Sequence, residues 1–233
     1  MVRSLQSRCS RAFPACLTLQ FLLLFASSAL ALDPGRAITQ YIQSLWNTES
    51  GLPQNSVHAV AQTPNGYLWL GTEEGLTRFD GVEFTTYNHA NTPALPSDYV
   101  QALAVDRDGA LWIGTDSGLA EFRPSSAAGE NGTFLTMTTA DGLSSNNITV
   151  LWEGSDGAVW AGTPKGLDRI FSGHVQPWRG SGALANAAVT AIVGSTDGML
   201  WVGTVKGLFA LRAGRVVSSR ASMTITVISA ATR

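Results

Sequence analysis

The stretch DGALWIGTDSGLAEF, residues 108–122, decides the fold, because the same phrase returns three more times without a gap. Its relatives are NGYLWLGTEEGLTRF (65–79), DGAVWAGTPKGLDRI (156–170) and DGMLWVGTVKGLFAL (197–211). The tryptophans of the four copies, Trp69, Trp112, Trp160 and Trp201, lie 43, 48 and 41 residues apart. Two further landmarks keep step with them. Leu52, Leu95, Leu143 and Leu184 each precede their tryptophan by 17 residues, and Val57, Val100, Ile148 and Val189 by 12. Landmarks that hold one register through repeats of unequal length identify a true internal repeat.

Each unit reads as four short antiparallel strands. Strand A begins at Val57 and its counterparts, and for the third unit covers Ile148-Thr149-Val150-Leu151. Asn65-Gly66, Asp108-Gly109, Asp156-Gly157 and Asp197-Gly198 then suit tight hairpins whose central residues take positive φ. Strand B is Leu-Trp-x-Gly-Thr or its close variant. A turn ending at Gly75, Gly118, Gly166 or Gly207 leads to strand C, and strand D, such as Phe84-Thr85-Thr86-Tyr87, is outermost. Units of 40–50 residues with four strands are propeller blades. The expected fold is therefore all-β: a β-propeller of four-stranded antiparallel blades. It comprises about four blades (52–90, 95–138, 143–178 and 184–217) and the start of a fifth (218–233), an incomplete ring. The strand-B tryptophans are expected to seal blade against blade, each covering about 150–250 Å². Trp152, closing its strand A, is expected in the core as well.

Both ends carry expectations of their own. Tyr41-Ile42-Gln43-Ser44-Leu45-Trp46 precedes Leu52 as Phe84–Tyr87 precedes Leu95, and so reads as a strand D without a blade of its own. Ile225-Thr226-Val227-Ile228 resembles strand A of the third unit, and the tryptophan due twelve residues later would fall beyond Arg233. A chain cut short inside its fifth blade is expected, with the exposed strand edge that such a break leaves. At the other end, Arg3, Arg8 and Arg11 form a cationic head before the apolar run Leu17–Ala26, and Ala29-Leu30-Ala31 offers small residues at a cleavage site. Residues 1–31 thus read as a cleaved signal peptide, with the mature propeller domain at 32–233 and a periplasmic destination. Both cysteines, Cys9 and Cys16, fall in the removed part, which leaves the mature chain no thiol chemistry.

Composition narrows the partners. Hydrophobic residues make up 45% of the chain, enough for a core, and charged residues only 14%. Without residues 1–31 there are 12 basic and 17 acidic residues, a net charge of −5, so no basic stripe is available for a nucleic acid.

The pattern Leu52-Pro53-Gln54-Asn55-Ser56-Val57, Asn65-Gly66-Tyr67-Leu68-Trp69-Leu70-Gly71-Thr72, Gly75-Leu76 and Phe79 resembles the two-component regulator propeller repeat, and the resemblance covers nearly all of 41–228. It implies a periplasmic sensor propeller of a hybrid histidine kinase or diguanylate cyclase, whose membrane helix and output domain would follow. The parent would be inner-membrane anchored and could dimerise. No kinase, cyclase or receiver motif occurs in this sequence, and it implies no enzyme activity and no cofactor of its own.

The expected ligand, an unidentified small molecule or oligosaccharide, would sit where the D-to-A and B-to-C connections gather. The candidates are Asn55, Asp98, Asn146 and Asn186 from the former and Glu74, Asp116, Lys165 and Lys206 from the latter. The competing role for the Asn and Asp side chains is capping of their own turns. Asp106-Arg107-Asp108-Gly109 lacks the remaining ligands of a calcium loop and reads as a hairpin. His58, His89 and His174 stand apart with no metal-ligand spacing. Gly71–Gly75 lacks the Lys-Ser/Thr of a phosphate loop. Three functions compete: a sensory binding module, a stand-alone interaction scaffold, and a propeller lyase or quinone-dependent dehydrogenase, which would need channel-lining catalytic residues.

Overall fold

Each Leu-Trp-x-Gly-Thr phrase forms the second strand of a four-stranded antiparallel sheet. The computed structural model, which describes residues 44–125, 132–178, 184 and 186–220, contains four such sheets. The first consists of β1 (Val57–Gln62), β2 (Leu68–Thr72), β3 (Gly75–Phe79) and β4 (Phe84–Tyr87). The second consists of β5 (Val100–Val105), β6 (Leu111–Thr115), β7 (Leu119–Pro124) and β8 (Gly132–Met137). β9 (Val150–Glu153), β10 (Val159–Thr163), β11 (Gly166–Phe171) and β12 (His174–Pro177) make the third. β13 (Val189–Gly194), β14 (Met199–Thr204), β15 (Gly207–Arg212) and β16 (Arg215–Arg220) make the fourth. Strands pair in sequence order within every sheet. The first strands β1, β5, β9 and β13 lie against one another, so they are the innermost.

The Gly-Thr-x-x-Gly spacing explains itself in the turn between second and third strands. The buried hydroxyls of Thr72, Thr115, Thr163 and Thr204 donate to the carbonyls of Gly75, Gly118, Gly166 and Gly207 at 2.8–3.0 Å. Each also accepts the backbone N–H two residues on, at 3.1 Å. Both bonding capacities of a buried hydroxyl are thereby met inside one turn. The hairpins between first and second strands differ from expectation. Only their glycines take positive φ (Gly66 92°, Gly109 84°, Gly157 79°, Gly198 79°), while Asn65, Asp108, Asp156 and Asp197 do not. A type I turn followed by a left-handed glycine closes each, with Gly66 N–H bonded to the Thr63 carbonyl at 2.9 Å.

Packing between sheets is one motif used three times. Trp69 lies in a cluster with Leu111, Ile113 and Phe122 of the second sheet. Trp112 does the same with Leu151, Val159 and Ile170 of the third, and Trp160 with Leu200, Val202 and Leu211 of the fourth. These three tryptophans are 1–4% exposed. Trp201 is 38% exposed, because no fifth sheet among the described residues receives it. No apolar cluster among those residues joins the fourth sheet to the first, so the four blades form an arc and the ring is not closed.

Two strand boundaries depart from the sequence expectation. Ser44–Asn47 carry no strand. Trp46 instead stands edge-on to Phe79 with centroids 5.0 Å apart, much as Trp69 meets Phe122 at 5.2 Å. It lends the first sheet part of the cover that a preceding blade would supply. The third sheet's first strand starts at Val150 rather than Ile148, whose N–H donates across the seam to the Thr115 carbonyl at 2.8 Å. Trp152 is half-buried at a seam. The expected signal peptide, Tyr41–Gln43, and the fifth-blade residues 221–233 lie outside the described residues.

Replacing Trp112 by Ala is expected to cost about 3–5 kcal/mol in urea unfolding. The same change at Trp201 is expected to cost clearly less, since a partly exposed side chain leaves no full cavity. Equal losses at both sites would overturn the seam account.

Candidate functional site

The connections between sheets and the turns between second and third strands share one end of the blades, because β1 and β2 run antiparallel and Val57 pairs with Thr72. Two connections are built alike. Asn47 and Thr138 open capping boxes over the 3-10 turns Thr48–Ser50 and Thr139–Asp141, and left-handed Gly51 and Gly142 (φ 102° and 108°) close them. Leu52 and Leu143 then plug into the sheets. Three candidate ligand residues turn out to hold these connections. Asn55 Oδ1 accepts the Thr48 N–H at 3.0 Å, Asp98 Oδ1 the His89 N–H at 2.6 Å, and Asn146 Oδ1 the Thr139 N–H at 2.7 Å. Their repetition is explained by loop closure. Asn186 takes a left-handed φ of 58°. Glu74, Asp116, Lys165 and Lys206 stand exposed at the turn tips, with Asp116 Oδ1 accepting the Ser117 hydroxyl at 3.0 Å.

The side chains that converge toward the axis are different ones, and a backbone irregularity puts them there. The pairing of first and second strands shifts between Val57 and Ala59, between Val100 and Ala102, and between Val189 and Ala191. His58, Gln101 and Thr190 are the extra residues, and Thr149 holds the same place in the third sheet. Bulges re-aim a side chain in this way. His58 Nε2 approaches Glu73 Oε1 at 3.3 Å and its ring meets Tyr99 of the next sheet edge-on at 5.3 Å. Gln54 exchanges two hydrogen bonds with Glu73, both 3.2 Å. Gln101 donates to Asn147 Oδ1 of the third sheet at 3.2 Å, and the Thr149 hydroxyl donates to the Val189 carbonyl of the fourth at 3.0 Å. A polar ladder therefore runs across the inner ends of all four blades. Sequence reading passed over it, since a bulge places residues that no period predicts. The one available signal was that positions directly after Val57, Val100 and Val189 are polar in every unit.

Of the three histidines, only His58 lies on an innermost strand. His89 Nδ1 bonds the Leu95 carbonyl at 2.8 Å, and His174 begins the outer strand β12. Among the described residues no three His, Cys, Asp or Glu side chains gather as metal ligands would. Asp106 belongs to its hairpin: Oδ1 accepts the N–H of Asp108 and Ala110, and Oδ2 the Trp112 indole N–H at 2.9 Å.

One buried carboxylate supports this end from beneath. Asp168 is fully buried and accepts the Ser144 N–H at 2.8 Å and the Ser144 hydroxyl at 2.5 Å, which ties the connection at Leu143-Ser144 to β11. Burial pushes its pKa above the ordinary carboxylate value, against the opposing pull of the two Ser144 hydrogen bonds.

These features define a class, a β-propeller arc of four-stranded blades with its polar convergence at the inner, loop-bearing end. The pattern of the two component regulator propeller family matches this chain at residues 51–74 and 94–117, within the first and second units. Among solved structures, a catalytically inactive H270A virginiamycin B lyase from Staphylococcus aureus with quinupristin aligns with a TM-score of 0.59 at 13% identity, over 75% of this chain and 59% of the lyase. The extracellular domain ascribed to the hybrid two component system BT4673 of Bacteroides thetaiotaomicron aligns with a TM-score of 0.58 at 22% identity, over 74% of this chain and 23% of that domain. PorZ, a surface component of the type-IX secretion system of Porphyromonas gingivalis, aligns with a TM-score of 0.53 at 15% identity, over 81% and 30%. At such identities the likeness is one of fold, and the chain spans less than two thirds of each. No curated protein sequence matches the chain.

A group whose folded pKa is raised gives stability that is complete below its unfolded value and is lost as pH rises through the folded value. Asp168→Asn keeps the Ser144 N–H bond at its amide oxygen and reverses the other, its amide N–H donating to Ser144 Oγ, with no charge to bury. It is expected to melt higher than the parent at pH 7, with the gap closing as pH falls toward 3. A gap that is constant with pH, measured by calorimetry, would show that burial of the charge is not the cause.

Proposed function

We propose that this chain is the exported ligand-sensing propeller of a bacterial signalling protein, and that it binds its ligand at the inner end of the blades without turning it over. The observation that carries the proposal is the ladder His58–Tyr99, Gln101–Asn147, Thr149–Val189. Identical backbone positions there carry chemically different side chains, facing the axis in a fold of the sensor-propeller family. A concave polar surface with both donors and acceptors suits a small polar metabolite or an oligosaccharide. The arginine-headed, apolar residues 1–31 support export to the periplasm. The parent's kinase or cyclase, a membrane anchor and dimerisation belong to the same proposal. So does the contribution of Glu74, Asp116, Lys165, Asn186 and Lys206 to the rim.

Thermal-shift screening of the intact chain against oligosaccharides and metabolites is expected to find a ligand that raises the melting temperature, since only the folded state binds it. His58→Ala and Tyr99→Ala should abolish that rise while leaving the unliganded melting temperature nearly unchanged. A ligand indifferent to both changes would move the site elsewhere. Silence across the whole panel would favour the interaction scaffold, and chemically altered ligand would favour an enzyme. In a bacterial host, the exported chain is expected to begin at Leu32. Recovery of the chain from the cytoplasm at full length would overturn export.

A further inference from the structure

The end of the blades opposite the ladder carries a second departure from the repeat. In the first sheet the Thr63 hydroxyl sits between two groups. It accepts the Trp69 indole N–H at 3.1 Å and donates to Asn65 Oδ1 at 2.6 Å. In the second sheet Asp106 fills the same place and takes the Trp112 indole N–H at 2.9 Å. In the fourth, the Ser195 hydroxyl donates to Asp197 Oδ1. The third sheet has Gly154 there, with no side chain at all.

The two groups that such an oxygen would join close in over Gly154. A Cβ built on Gly154 would stand 3.0 Å from Trp160 Nε1 and 2.6 Å from Asp156 Oδ1. The Trp160 ring is 4% exposed, and its indole N–H, which takes no acceptor among the described residues, is not an enclosed atom, Glu121 Oε1 being the one enclosed side-chain N or O there without a partner. Asp156 is held in place by Arg169, whose Nη2 donates to Oδ2 at 2.9 Å, and by the Ala158 N–H on Oδ1 at 3.2 Å. That leaves Oδ1 a second lone pair to receive a hydroxyl. Gly154, Asp156 and Trp160 all line a cleft of about 80 Å³ between the third and fourth sheets, with Trp152 on one wall, Leu200 and Leu211 among its apolar lining, and exposed Ser155 and Ser195 at the rim. Trp152 is itself a departure, standing where the other units have Ala61, Ala104 and Val193. It fits because Gly194 faces it, a Cβ there lying 2.6 Å from Trp152 Nε1.

We propose that this cleft binds a hydroxyl group of a small polyol or a terminal sugar residue. That hydroxyl accepts the Trp160 indole N–H and donates to Asp156 Oδ1, supplying the oxygen that Thr63 supplies in the first sheet. The choice of a hydroxyl follows from the pair, one donor and one acceptor, which an anion or a cation satisfies only by half. The carbon skeleton of the ligand lies against the Trp152 and leucine walls. The proposal is independent of the ligand face at the other end of the blades, and either can fail alone.

The test is a titration of protein labelled with ¹⁵N at its tryptophans, using glycerol and D-glucose as separate probes. The Trp160 resonance is assigned by its loss in Trp160→Phe. It is expected to move saturably with at least one probe, while the Trp69 and Trp112 resonances, internally bonded, stay fixed. Glucose active where glycerol is not would identify a sugar ring, and the reverse a short polyol. Gly154→Ser sets a Cβ and a hydroxyl against both Asp156 and Trp160, and should abolish the shift by filling their side of the cleft. As a check that does not depend on that variant's folding, calorimetry should show Trp160→Phe binding the active probe at least tenfold more weakly. A Trp160 resonance unmoved by both probes would mean that the cleft holds water only, and shifts unchanged in Gly154→Ser would place binding elsewhere. Either result overturns the proposal.

Discussion

Everything in this fold depends on one contact, the burial of a second-strand tryptophan in the apolar face of the next sheet. A four-stranded sheet with two apolar faces cannot persist alone in water. Trp69, Trp112 and Trp160 each close a seam, and each seam is completed by an aliphatic pair and a residue at the Phe122 position of the receiving sheet. The contact also requires the Gly-Thr turn. Gly71 and Gly114 leave room for Val100 and Ile148 of the next sheet, whose side chains would stand 2.6 and 2.8 Å from an added Cβ. Indole, glycine and threonine are thus parts of a single device, which is why they travel together in the sequence.

The same device explains the two edges of the arc. The receiving face of the first sheet shows an exposed Val60 where the second and third sheets have better covered Leu103 and Leu151, and Trp46 covers Phe79 in place of a neighbouring blade's tryptophan. The donating face of the fourth sheet shows Trp201 and Val193. Interior and edge blades have the same sequence pattern and differ only in what lies beside them.

That difference marks how far the sequence could be read. Blade number, strand order and the sealing tryptophans follow from landmarks at constant spacing, because seam geometry leaves those positions little freedom. The polar sites do not repeat in that way. Asn55, Asp98 and Asn146 recur at equivalent places because each closes a connection, and the regularity that drew attention to them is that of loop capping. His58 and Gln101 reach the axis through bulges, which break the alternation on which strand reading relies. The type I hairpins were misjudged for a related reason. Asn65, Asp156 and Asp197 serve through their side chains rather than through a left-handed backbone, and sequence does not separate the two uses.

A repeated scaffold gives every blade the same backbone positions, so specificity must come from side chains that the seam does not constrain. At the inner end, the position that bulges in three sheets carries His58, Gln101 and Thr190, with Thr149 at the same place in the third, and the surface around the axis is chemically uneven although its backbone is nearly symmetric. At the opposite end, one hairpin position carries Thr63, Asp106, Gly154 and Ser195. Three of these side chains complete a hydrogen-bonding arrangement within their own hairpin, and the glycine leaves Trp160 without one. Two other copies carry a hydroxyl at this position, so the hairpin folds with one and does not require the glycine. The departures from the repeat, rather than the repeat itself, are therefore where recognition chemistry is to be sought in this protein.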